Sequence, residues 1–131
     1  MTRIEDVYTY FVRWQVHFTN VYLLHLRYLV GDLLWADLHD RVVSLPSMAA
    51  DEARRWQILS ALYFPEFEGA VQEIEKARAV VASFFKEDGV GNLAVRDAFI
   101  ESQARFEAAA EQFKNAVAER CQKSSLFSAL N

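Results

Sequence analysis

Apolar residues recur along the first third of this chain at alternating steps of three and four: Ile4, Val7, Phe11, Trp14, Phe18 and Val21, then Tyr28, Trp35 and Val42. Such steps bring the side chains to one line of an α-helix, whereas a strand would throw them onto both faces. Four glycines and two prolines in 131 residues leave too few turn-formers for a many-stranded sandwich or barrel. The chain is expected to be all-α.

Local signals divide it into three segments. Thr2 and Glu5 have capping-box spacing, so a first helix is expected over residues 3–43, with Gly31 read as a kink or a point of close packing. Ser44-Leu45-Pro46-Ser47 is a stop. Pro46 disfavours helical geometry at Leu45, and Ser47 can cap a second segment over 48–86 whose first turns carry Asp51 and Glu52. Pro65 falls inside that segment. A proline there removes a hydrogen bond yet suits the first position of a fresh helix, so a kink or a break is expected. In the loop 86–92, Gly89 is placed to end one helix and Asn92 to cap the next. The third segment, 93–123, repeats Phe99, Phe106 and Phe113 at seven-residue intervals with Ala109, Ala110, Ala116 and Val117 between them. Large Phe beside small Ala suits knobs-into-holes packing. Together these features predict a single domain over residues 1–131, an antiparallel bundle of three long helices (four if the second breaks at Pro65) with coiled-coil-like packing and an apolar tail at 124–131.

Composition narrows the function classes. Hydrophobic residues at 53% and charged ones at 24% exclude a disordered chain. The net charge is −4 and the basic residues are scattered, Arg54-Arg55 being the only adjacent pair, so nothing builds the basic stripe that nucleic acid needs. The lone Cys121 makes no intrachain disulfide, which fits a reducing, cytoplasmic setting. Acidic Glu5 and Asp6 stand where a signal peptide wants basic residues. The longest stretch without Lys, Arg, Asp or Glu, Trp14 to Leu26, still contains Gln15, His17, Thr19, Asn20 and His25, so no membrane span is expected.

The candidates for chemistry are His25, Asp32 and His39, at seven-residue steps along or near the apolar face of the first segment. Buried ionisable groups need partners, and a metal-binding layer is one way to supply them. Residues seven apart on one helix, however, lie about 10.5 Å apart along its axis. The three cannot share one ion, all three histidines (His17, His25, His39) fall in the same segment, and no paired Glu-x-x-His motif is present, the nearest cluster being Asp37-Leu38-His39-Asp40. The reading is therefore structural: His25 and Asp32 fix register or oligomer state in an apolar seam. No metal, cofactor or catalytic residue is assigned. Cys121 between Arg120 and Lys123 is read as incidental, and Gly89-Val90-Gly91 lacks the strand and lysine of a phosphate loop. No motif is long enough to name a family.

The remaining signal is surplus apolar surface. Eight of the eighteen aromatic residues lie in the first 35 positions. Beyond the seam, Val12, Val16, Leu23, Val30 and Leu34 occupy the flank opposite Trp14, leaving a polar strip of Arg13, His17, Asn20 and Arg27. A surface helix usually carries one apolar stripe. A second copy of the chain is the economical cover, and the reading is a non-catalytic interaction module (scaffold, regulator or inhibitor) that forms a homodimer through Tyr8, Phe11, Trp14, Phe18, Tyr22, Leu29 and Leu33, with a protein partner as a further occupant. Two alternatives stand beside it. One is a metal- or ligand-binding bundle enzyme using His25 and Asp32; the other is peripheral membrane attachment through Tyr8, Tyr10, Trp14 and Tyr22, for which two arginines make a poor basic face.

Overall fold

The structure is a computed structural model that describes residues 2–46, 48 and 50–130, the side chains of 50 and 124–130 excepted. Five α-helices pack together, with no strand among the described residues: α1 Arg3–Leu29, α2 Trp35–Val43, α3 Ala50–Tyr63, α4 Glu68–Ala82 and α5 Leu93–Leu130. A short 3-10 turn, Pro65–Phe67, joins α3 to α4.

The Thr2 hydroxyl accepts from the Glu5 amide at 3.3 Å, and Glu5 and Asp6 lie at the positive end of the α1 dipole. The first helix then ends at Leu29, fourteen residues short of the expected boundary. Gly31 adopts φ 83°, its amide donates to the Tyr28 carbonyl at 3.0 Å, and the Asp32 amide donates to the Arg27 carbonyl at 2.8 Å. This pair of bonds around a left-handed glycine is a Schellman stop. The expected kink is thus a termination, and close packing is not the reason for the glycine, since a Cβ there would meet nothing within 4 Å. Apolar residues continuing on both sides of the stop hide it from a periodicity argument: Leu29 and Leu33 both reach the core, but across a break.

Of the two outcomes expected at Pro65 the structure has the break: Phe64 at φ −136°, ψ 65° leaves the helix before the 3-10 turn starts. Two further boundaries differ from expectation. α4 ends at Ala82, not near Lys86, and Phe84 and Phe85 beyond it both pack against the core. Gly89, at φ 81°, therefore serves the following loop instead of ending a helix. Finally, residues 124–130 continue α5 instead of forming a separate tail. The Asn92 side chain accepts from the Val95 amide at 3.1 Å and caps α5; Ser47 lies outside the described residues.

Aromatic layers set the packing. Phe113 lies 4.7 Å from Phe11, 5.4 Å from Trp56 and 5.7 Å from Phe67 between ring centroids. One heptad back, Phe106 meets Phe18 at 4.7 Å and Trp14 at 5.8 Å; another heptad back, Phe99 meets Tyr22 at 4.7 Å and Phe84 at 5.2 Å. Numbers rise along α1 as they fall along α5, so these two helices are antiparallel. The three phenylalanines have no exposed surface. α2 closes the end of this core by burying Leu38 and setting Trp35 edge-on to Tyr28 at 5.1 Å.

Candidate functional site

A polar group crosses the α1–α5 contact beside the Phe106–Phe18 layer. Glu107 on α5 accepts from Gln15 Nε2 at 2.7 Å on one carboxylate oxygen, and from Thr19 Oγ1 at 2.8 Å and Gln103 Nε2 at 2.7 Å on the other. Gln15 and Gln103 are buried, and Gln103 also reaches Thr19 at 3.4 Å. Three donors meet one carboxylate, which holds α1 and α5 in a single register. Sequence reasoning missed this group. Its signal was present in Gln103 and Glu107, one helical turn apart and flanking the Phe106 layer, and in Gln15 inside the charge-free stretch of α1.

His25 is buried, stacked on Phe85 with ring centroids 4.2 Å apart and planes 13° apart, and edge-on to Trp35 at 6.0 Å. Desolvation lowers its pKa from 6.5 to about 4, so the ring is neutral near pH 7. Its Nδ1 has no hydrogen-bond partner. Asp32, by contrast, is exposed on the Schellman stop and pairs with Arg27 at 3.1 Å. His39 is exposed on α2, on the far side of the break. The helix end at Leu29 thus removes the shared line on which these three residues were placed: His25 lies in the core while Asp32 and His39 face solvent. Among the described residues no group of three or more His, Cys, Asp or Glu is arranged to hold a metal ion. Cys121 is a free, half-buried thiol.

The residues singled out for self-association divide in two. Phe11, Phe18, Tyr22, Leu29 and Leu33 are buried within one chain, covered by its own helices, and Trp14 is half-buried among Phe11, Phe18, Trp56 and Phe106. Only Tyr8 of that set is exposed. The opposite flank of α1 is a different matter: Val16 is 55% exposed, Leu23 48% and Val30 51%, at steps of seven residues. Val12 is half-buried beside them, and Leu34 beyond the helix end is 71% exposed. Val12, Val16 and Asn20 form one wall of an open groove whose other side is Pro46, Met48 and Glu52.

Among the other hollows, two lie against α4. One of about 240 Å³ sits where α3 turns into α4, lined by Ser60, Phe64, Pro65 and Val71, below the roughly 300–1,000 Å³ typical of small-molecule sites. The other is a shallow groove between α4 and α5 floored by Ala77, Val80, Ala98 and Ala109 and rimmed by the ion pairs Glu73–Lys76 and Glu101–Arg105. No helix among the described residues is long and apolar enough to cross a membrane. Comparison with protein-family models, with curated proteins and with solved structures yields no match.

Proposed function

We propose that this chain is a non-catalytic helical interaction module that self-associates through α1. The observation that carries the reading is the exposed apolar line of Val16, Leu23 and Val30, on a helix whose other flank already fills the core. Exposed apolar side chains scattered singly are ordinary on soluble proteins, but a line kept at heptad spacing is a helix-docking surface. The contact moves, relative to the sequence reading, from the aromatic face of α1 to its outer face. The packing of the proposed assembly is coiled-coil-like, and the setting cytoplasmic, consistent with a chain whose one thiol, Cys121, is free.

Sedimentation equilibrium from micromolar to several hundred micromolar tests this. A mass approaching twice 15.1 kDa is expected as concentration rises. A mass fixed at that of one chain across the range contradicts it.

A further inference from the structure

Of the five helices, α2 is the shortest and the least held. It has nine residues, no side chain caps its first turn, Leu38 is its one buried residue, and its packing is against α1. A helix of that length is marginal in water unless tertiary contacts support it. Leu33 anchors the chain in the core just before α2, while Leu34 between them is extended and exposed, a joint open to solvent. Under α2 the contacts are aromatic. Trp35 stands edge-on to Tyr28 at 5.1 Å and to His25 at 6.0 Å, and Phe85 stacks on the other ring neighbour of this group, His25, at 4.2 Å. The two rings against the imidazole are held differently. Phe85 is fixed from behind by Phe18 at 5.9 Å and Phe99 at 6.1 Å, on α1 and α5, whereas Trp35 moves with α2.

We infer that α2 is a lid over this end of the aromatic core and that a proton on His25 opens it. A protonated ring carries two N–H donors, and the buried Nδ1 has no acceptor. No counter-charge is in place either. On α1, Tyr22 and Tyr28, a turn to either side of His25, are held above their ordinary pKa by burial, Tyr28 also by Glu87 and Asp88, so both stay neutral. Asp32 is exposed and taken by Arg27. On α2 the ionisable Asp37, His39 and Asp40 are exposed, as are Lys86, Glu87 and Asp88 beyond Phe85, and Arg96 on α5 pairs with Asp97. None of them acts on His25, whose lowered pKa has desolvation as its cause. Stacking on Phe85 offers an imidazolium some cation–π attraction, but burial outweighs it. Water reaches the charge by displacing Trp35, since Phe85 is wedged between α1 and α5. Swinging α2 about Leu34 does this and leaves the Phe99, Phe106 and Phe113 layers closed.

Amide hydrogen exchange read by mass spectrometry at pH 7 and pH 5, corrected for the intrinsic rate at each pH, tests the proposal. A detached nine-residue helix does not keep its hydrogen bonds, so exchange over residues 35–43 reports the lid and exchange over 99–117 reports the core. His25 titrates at about 4 when covered and near 6.5 in water, so opening is favoured as pH falls below 6.5. Opening of 35–43 should rise about twentyfold from pH 7 to pH 5, with 99–117 still protected far longer. His25→Phe and His25→Gln, neither of which titrates, should abolish the rise, and one of them folded at pH 7 by circular dichroism is enough to read it. His39→Gln, exposed on α2 itself, should keep the rise. Equal protection of the two segments at pH 5 means that α2 opens only with the whole fold, and overturns the proposal. So does a wild type with no rise, a rise that survives loss of His25, or one that disappears with His39→Gln.

Discussion

His25 shows how one residue can look functional in sequence and be structural in the fold. Burial against Phe85 and Trp35 lowers its pKa to about 4, below the roughly 6.5 of an unfolded histidine. Between those values the unfolded chain binds a proton at this site that the folded chain does not. Stability is therefore full above about pH 6.5 and falls as pH drops towards 4, by up to roughly 3 kcal/mol. Urea unfolding of wild type and His25→Phe from pH 7.5 to 4.5 should show curves that converge or cross on acidification, since only the wild type loses this contribution; parallel curves would contradict it. Glu107 makes the opposite case, a charged residue that sequence reasoning passed over. Glu107→Ala strands the buried Gln15 and Gln103 amides and should cost about 2 kcal/mol or more. Glu101→Ala, which removes an exposed pair with Arg105, should cost less than about 1 kcal/mol by the same measurement.

At the scale of elements, two of the glycines at positive φ, Gly31 and Gly89, separate backbone strain from packing. Gly31→Ala meets no neighbour and should lose only the roughly 1 kcal/mol of forcing a Cβ into the left-handed region. Gly89→Ala adds a Cβ 2.9 Å from Val95 Cγ1 and should lose more. Equal losses in denaturant midpoints would show that the contact with Val95 relaxes freely. Phe113→Ala should be far larger, about 3–5 kcal/mol, since three rings from α1, α3 and the 3-10 turn close on that side chain. Helical class, the start at Thr2, the cap at Asn92 and the Phe heptads were legible in the sequence because each depends on neighbours within a few residues. The ends of α1 and α4 were not. At Gly31 the apolar period runs on past the stop, and at Phe84-Phe85 the decisive contacts, with Phe18, His25 and Phe99, are remote in sequence.

For the whole molecule, one helix carries two apolar flanks. One flank of α1 meets α3 and α5 inside the chain, and the other keeps Val16, Leu23 and Val30 in water unless something covers them. Sequence reasoning assigned the surplus to the aromatic flank, which the chain's own helices bury, because hydrophobic size alone does not say which face those helices reach first. If a second copy provides the cover, folding and association are linked, and stability depends on protein concentration by mass action. The most direct test of that claim is the urea midpoint at low and high micromolar protein, for wild type and Leu23→Glu side by side. The account predicts a wild-type midpoint that rises with concentration and a Leu23→Glu midpoint that does not; a wild-type midpoint independent of concentration would contradict it.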